Sequence, residues 1–447
     1  MKQLYLIMTA SALLTAASGR AQDNPLLDAY RAQVEAYSPD LRAAEYAAGA
    51  SGEARQSARA DFLPKLSGGA NFNYTGHPLR KDIALPGTDD VYTFEGRNTK
   101  YGASVSLAQP LYAGGALRAG YDKAQAEDEM ARQEIKRVTN DLRHEADVRY
   151  WNHVAQCELV SVADGYRQSV GRLVEVVRQR VEAEYTDRND LLMAEVRLND
   201  ADYQVQRARN DAEVARLSLN ALAGIPSDQH IATDTLVVPL TVVQPLTDEV
   251  DDLLMRRPEM GMAEGNVRVQ QSAARQANAR YLPTLSIGVD GSYSSPGYDF
   301  RADLDPNYAI YAKLSVPIFE WGKRRRTKNM GRYQVDIARE RRIQVGDGLR
   351  LEVETAQCNY AQAVEQVRLT ESSLRKAAES EELAMDKYRE GSISIVEVIN
   401  AQLFHLEARQ NHIRSKLNAC VAKSAFATND KFCIFVEVQR KALLCRL

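Results

Sequence analysis

Phe62-Leu63-Pro64-Lys65-Leu66-Ser67 returns as Tyr281-Leu282-Pro283-Thr284-Leu285-Ser286, and the offset of 219 residues between Pro64 and Pro283 also relates Tyr74 to Tyr293. Further along, Gln109-Pro110-Leu111-Tyr112 returns as Val316-Pro317-Ile318-Phe319 at an offset of 207. That second offset then holds without a gap, from Gly115 and Gly322 to Asp190-Leu191-Leu192-Met193-Ala194 and Glu397-Val398-Ile399-Asn400-Ala401. The chain is a tandem duplication, so a single plan has to describe both halves. The offsets differ by 12 residues, and the difference falls between the paired prolines. The first copy therefore carries a longer loop, about Thr75 to Lys100, rich in Gly, Pro and Asp.

Periodicity supplies the plan. Leu66, Gly68, Ala70, Phe72 and Tyr74 alternate with Ser67, Gly69, Asn71 and Asn73. The same period of two runs through Tyr101/Ala103/Val105/Leu107, Leu285/Ile287/Val289/Tyr293 and Ile310/Ala312/Leu314/Val316, each against a polar partner set. These strands are about nine to eleven residues long, the length of a tilted membrane strand. The alternative is two hairpins of a soluble domain with one wet face, but the chain offers no further sheet for them to join. After each pair comes a helical stretch, about Ala116 to Ala183 and Lys323 to Glu390, each about 100 Å long at the helical rise. Apolar residues there step by threes, fours and sevens (Val353, Ala356, Tyr360, Ala363, Val367), which is the supercoil period. A turn and a shorter heptad helix follow, ended in the first copy by Gly224-Ile225-Pro226. Short helices near Leu26–Ala60 and Asp248–Ala279 lead into the strand pairs.

The divisions that follow are a signal peptide at 1–21, a first repeat at 22–224 with its strand pair at 62–113, and a linker at 225–247. A second repeat covers 248–427 with its strand pair at 281–319, and an atypical tail covers 428–447. The signal consists of Lys2, an apolar run from Leu4 to Ala17, and a small-x-small site ending at Ala21. In the tail the heptads stop, and Cys433-Ile434-Phe435-Val436-Glu437 reads as a short apolar strand.

Composition excludes several classes. Charged residues make up 26% of the chain and Ala, Glu, Arg, Gln and Leu dominate, as in long helices. No apolar run after the signal is long enough for a transmembrane helix, so insertion into a membrane has to be as a β-barrel. A net charge of −3 without a basic domain surface argues against nucleic acid. Five cysteines without C-x-x-C spacing give neither a disulfide framework nor a zinc site. His405 and His412 stand one heptad apart, too far to share a metal. No G-x-S-x-G, H-E-x-x-H or phosphate-cradling glycine loop is present, so the reading is not an enzyme and needs no cofactor.

The paired strand openings Phe62-Leu63-Pro64 and Tyr281-Leu282-Pro283 are joined by two other motifs. These are the paired strand ends Gln109-Pro110-Leu111-Tyr112-Ala113-Gly114-Gly115 and Val316-Pro317-Ile318-Phe319-Glu320-Trp321-Gly322, and the turn Tyr388-Arg389-Glu390-Gly391-Ser392 followed by Val398-Ile399-Asn400-Ala401-Gln402. In this order, from Asn24 to about Phe426, the chain resembles the TolC-like outer-membrane efflux proteins. The resemblance implies a mainly α protomer with a small transmembrane β part. It also implies a homotrimer with one twelve-stranded outer-membrane barrel and a coiled-coil helical barrel reaching into the periplasm. Geometry agrees with three copies: two would close eight strands over a filled interior, whereas twelve strands leave a lumen. The implied function is the exit duct of a tripartite efflux or type I secretion system. Its implied partners are a periplasmic adaptor, an inner-membrane pump of the RND or ABC type, and outer-membrane lipid. A periplasmic structural or adhesive coiled-coil protein is the rival reading.

Position by position, the resemblance places the periplasmic gate at Asn189, Asp190, Tyr388, Glu397 and Asn400, and adaptor docking at the turns carrying Thr186, Arg188, Gly391 and Ser392. Ile393 stands where a relative carries a latching arginine, for which Arg188 or Arg389 are the substitutes at hand. Converging carboxylates would attract cations; alternatively Asp190 and Glu397 are solvated helix-start acids that suit the dipole. Lys323, Arg324, Arg325, Arg326 and Lys328 crowd a helix N-terminus that disfavours cations, which points to anionic headgroups at the membrane interface, the alternative being a plain solvated charge run.

Overall fold

The computed structural model describes residues 24–78, 80–84, 91–238, 250–296 and 303–444. The signal segment and residues 239–247 of the linker lie outside them. Helix α1 (Pro25–Tyr37) starts under Asn24, whose side chain accepts the N–H groups of Leu26 and Leu27. The sequence predicts one helix on to Ala60, but Pro39 divides it, and α2 runs Pro39–Ala60. Proline has no N–H to donate and its ring collides with the preceding turn. Ser38 serves both ends of the break: its N–H closes α1 on the Val34 carbonyl at 2.9 Å, and its hydroxyl accepts the Leu41 N–H at 3.2 Å. Pro258 stands at the 219 offset from Pro39 and does the same, splitting the second short helix into α5 (Val250–Arg256) and α6 (Pro258–Ala279).

Contacts divide the chain into two units. One contains Glu45–Glu134 and Glu259–Val345. Its four-stranded antiparallel sheet has the order β1 (Lys65–Tyr74), β4 (Thr99–Ala113), β5 (Thr284–Ser295), β6 (Asp305–Ser315). Register fixes the faces. Leu66, Leu107, Val289 and Ile310 form one rung, and Gly68, Val105, Gly291 and Tyr308 the next on the same side. The opposite side carries Ser67–Ser106–Asp290–Ala309 and Gly69–Ser104–Ser292–Asn307, and the Ser106 hydroxyl donates to the Asp290 carboxylate. One face is thus apolar and the other small and polar, with a bulge between Pro110 and Tyr112 where proline cannot donate to the ladder. The loop predicted at Thr75–Lys100 contains a further hairpin, β2 (Arg80–Ala84) with β3 (Val91–Glu95). Its β-branched and aromatic residues favour strands, a signal masked by the Gly and Pro around them.

The other unit contains Ile135–Pro258 with the described parts of both termini, up to Ala44 and from Gly346. The long helices are α3 (Ala116–Glu182) and α7 (Lys323–Arg389), each of 67 residues. Their shorter partners are α4 (Arg188–Ala223) and α8 (Ile395–Leu444). Cys433–Glu437, predicted as a strand, lie within α8: no neighbouring strand pairs with them, and a lone strand has no hydrogen-bond partners. In the core Leu27, Tyr30 and Val34 of α1 meet Ala146, Tyr150 and Val154 of α3, Leu219 of α4 and Ile413 of α8. Each fully buried large side chain contributes about 1.5–3 kcal/mol.

Several polar groups inside this core are paired. Asp147, 4% exposed, accepts from Arg31 at 2.5 and 2.6 Å and from the Ser424 hydroxyl at 2.5 Å. Removing Arg31 would strand a buried carboxylate, which typically costs about 3–5 kcal/mol. Residues 225–238 have neither helix nor strand, and side chains of the helices bond several of their backbone groups. Asn220 donates to Pro226 and Gln229 carbonyls at 3.0 and 2.8 Å, and Arg216 to those of Ser227 and Gln229 at 2.7 and 2.8 Å. The Tyr150 hydroxyl accepts the Asp234 N–H at 3.0 Å, and Glu158, paired with Lys416 at 2.6 Å, accepts the Val237 N–H at 3.2 Å.

Candidate functional site

The residues singled out near Tyr185–Asn189 and Gly391–Ser394 occupy two turns built alike. Where α7 ends, Gly391 is left-handed (φ 81°); its N–H reaches the Tyr388 carbonyl at 2.9 Å and the Ser392 N–H reaches Lys387 at 2.9 Å. These two bonds are a Schellman end. At the 207 offset, Glu184 takes the same left-handed conformation (φ 61°), with Glu184 N–H to Val181 O at 3.0 Å and Tyr185 N–H to Arg180 O at 2.8 Å. The next helices open alike, the Asp187 and Ser394 carbonyls accepting the Asp190 and Glu397 N–H groups at 3.0 and 3.2 Å, and α4 is capped besides by the Asp187 side chain, which accepts the Asn189 N–H at 3.4 Å. The acids follow three residues on: Ser394 donates to Glu397 at 3.3 Å, and Thr186 donates to Asp190. Asp190 and Glu397 thus have a local role as first-turn acids that offset the helix dipole.

The two turns share an apolar cluster of Leu173, Val174, Val177, Ala194, Met385, Tyr388, Ile395, Val398 and Ile399, with Ile393 packed on its edge. Tyr388 is inside it, and the Arg180 guanidinium lies 4.9 Å over its ring. Burial pushes the Tyr388 phenol above its ordinary value, Asp190 pushes the same way, and Arg180 opposes them. Arg180 also donates to the Tyr388 and Arg389 carbonyls, groups that a helix end leaves unsatisfied. Sequence reading missed Arg180. Its signal was a basic residue in the last turn of each long helix, Arg180 in one copy and Lys387 in the other.

Asp190, Thr186 and Tyr388 are therefore brought together, while Asn189, Glu397 and Asn400 are exposed. Asn189 donates to the Met193 sulfur at 3.7 Å; Arg389 pairs with Asp386 at 3.1 Å; Arg188, Gly391 and Ser392 face solvent. In the unit carrying the sheet, Lys323, Arg324, Arg325, Arg326 and Lys328 are all exposed on the first turns of α7. Directly before them Ile318 and Trp321 are 94% and 88% exposed, with the Phe319 and Trp321 rings edge to face at 5.0 Å.

Among the described residues no helix is long and apolar enough to cross a membrane, and the sheet is apolar on one face and polar on the other, the alternation of strands in outer-membrane channels. The sequence profile of the outer membrane efflux proteins matches residues 30–225 and 250–426, and the chain belongs to that family. Among relatives, the pyoverdine export outer membrane protein OpmQ of Pseudomonas putida is 23% identical over 75% of this chain and 71% of its own. The alkaline protease secretion protein AprF of Pseudomonas aeruginosa is 25% identical over 67% of this chain and 62% of its own. The solved outer-membrane channel OprN superposes with a TM-score of 0.78 at 18% identity, covering 91% of this chain and 90% of its own. The chain is an outer-membrane exit duct with a long periplasmic helical extension.

Glu184 holds a conformation that costs a non-glycine residue about 1 kcal/mol or more. Glu184→Gly should therefore raise the thermal midpoint of the protein, followed by circular dichroism. A midpoint at or below the parent's would show that the turn is relaxed elsewhere.

Proposed function

We propose that three copies of this chain close one twelve-stranded barrel and its helical tunnel, forming the exit duct of a tripartite efflux or type I secretion assembly. The observation that carries this reading is the sheet's incompleteness. Among the described residues β1 and β6 each have only one neighbouring strand, and β1 is exposed along its whole length. A membrane sheet with open edges leaves N–H and C=O groups that hydrocarbon cannot satisfy, so other copies supply the partners. Helix α7 supports this with Met330, Ile337 and Leu351, exposed at multiples of seven. The relatives' names cover both a small-molecule exporter and a protease secretion component, consistent with substrate choice by an inner-membrane pump of the RND or ABC type.

Within the trimer, Asn189, Asp190, Tyr388, Glu397 and Asn400 form the periplasmic gate, and the turns carrying Thr186, Arg188, Gly391 and Ser392 dock a periplasmic adaptor. Three Glu397 carboxylates brought close repel one another unless cations occupy the ring. The hydroxyl bonds they accept from Ser394 and Thr186, and their first-turn positions, favour a second reading, in which the acids only serve helix ends. The cationic run from Lys323 to Lys328 with Trp321 and Phe319 suits the headgroups of the periplasmic leaflet.

Native mass measurement in detergent should give a trimer; a detergent-independent monomer would overturn the duct assembly. Cysteines placed at Thr186 and Ser392 should crosslink an adaptor in cells, and crosslinks confined to a cysteine at Gly76 would reverse the proposed orientation. In planar bilayers the parent should be nearly closed, cation-selective and blocked by multivalent cations. Glu397→Ala with Asn400→Ala should weaken selectivity and block with the trimer intact; unchanged recordings would leave these acids serving helix ends alone.

A further inference from the structure

The duplication builds the junction between short helix and strand pair twice, and the two junctions differ. In the second copy the space is filled. Tyr281 is 5% exposed, its hydroxyl meets the Thr327 hydroxyl at 3.0 Å, and the Arg280 guanidinium lies 4.7 Å over its ring. In the first copy the residues at the same offsets are Phe62 and Gly120, and neither has a hydroxyl to make that pair. Phe62 turns instead to the Tyr121 ring, with centroids 6.5 Å apart and planes at 77°. Leu63 is left 61% exposed. What remains is an open cavity of ≈ 830 Å³ walled by Gln56, Arg59, Phe62, Leu63, Arg118 and Tyr121.

Its chemistry is two-sided. Phe62, Leu63 and Tyr121 give an apolar floor, and Leu66, three residues past Leu63, begins the apolar face of β1. Arg59 and Arg118 give a cationic rim. Asp122, the acid beside Arg118 at 3.0 Å, is shared with Arg275 at 3.4 Å, and Asp61 is paired with Lys65 at 2.8 Å. Arg59 has no acidic partner among the described residues, so the balance at the mouth is positive. Guanidinium groups bind phosphate through paired, charge-assisted hydrogen bonds. An apolar floor continuous with a membrane face calls for an acyl chain rather than a free anion.

We propose that this cavity binds an anionic glycerophospholipid of the leaflet on the helix side, phosphate on Arg59 and Arg118 and acyl chain over Phe62 and Leu63. The site rests on the membrane reading above, and it is distinct from the basic run of the second copy, whose own junction is closed by Tyr281 and Thr327. The test uses the full-length delipidated trimer, titrated with phosphatidylglycerol, phosphatidylcholine or inorganic phosphate and read by native mass spectrometry. Phosphatidylglycerol should bind preferentially, and Arg59→Gln with Arg118→Gln should weaken it about tenfold, as loss of charged hydrogen bonds does. Phe62→Tyr with Gly120→Thr keeps both arginines but fills the cavity in the manner of the second copy, and should weaken binding similarly. Undiminished binding in either double variant, equal binding of phosphatidylcholine, or occupancy by inorganic phosphate alone would overturn the site. So would a Leu63→Cys variant that crosslinks to another copy, since the cavity would then be a subunit contact. Failure of the duct reading would be separate and visible beforehand, as a parent protein that is not a trimer in detergent.

Discussion

Hydrocarbon offers no hydrogen bonds, and the rest of the molecule is arranged around that fact. Among the described residues four strands give a sheet whose inner strands are paired on both sides and whose β1 and β6 edges are open. The alternation that makes one face Leu66, Leu107, Val289 and Ile310 and the other Ser67, Ser106 and Asp290 is useful only if the sheet curls with its polar side toward water. The long helices meet a different solvent and use different means. Their apolar residues repeat at the supercoil period, and their charged groups either pair, as Arg31 does with Asp147, or remain solvated.

At the turns, chain geometry comes first and charge is fitted to it. Each long helix must reverse within a few residues, which needs a left-handed residue, a residue to open the next helix and an acid in its first turn. Gly391, Ser394 and Glu397 provide them in one copy, Glu184, Asp187 and Asp190 in the other. Only one copy gains Arg180, which holds the end of α7 through its carbonyls and the face of Tyr388. The turns are therefore similar in backbone and unlike in fastening, so the two hairpins need not yield to the same force.

Much of this was legible because periods and repeats are local signals. Strand faces followed from alternation, and the courses of α3 and α7 from apolar steps of threes, fours and sevens. The proline breaks at Pro39 and Pro258 were hidden by apolar spacing that continues across them. The hairpin at Arg80–Glu95 was hidden by the turn residues around it, and the helical course of Cys433–Glu437 by an apolar run with no period. The gate residues were named from resemblance, and their positions along the helices could be read in one dimension. The burial of Tyr388 and its contact with Arg180 could not, because they depend on four helices meeting. The proposed number of copies is written in no one segment, because it rests on how many strands would close a ring.

The strap at 225–238 is held through its own main chain by Arg216, Asn220, Tyr150 and Glu158. Main-chain groups are the same whatever side chain they carry. Much of its instruction is therefore stored in the helices beneath it, and the strap can drift in composition except where its own side chains are used, as at Asp234, which accepts the Tyr150 hydroxyl at 2.9 Å, and at Val237, which is buried in the core. For a protein made of two copies of one unit, that leaves most positions of the strap free to diverge without disturbing either half.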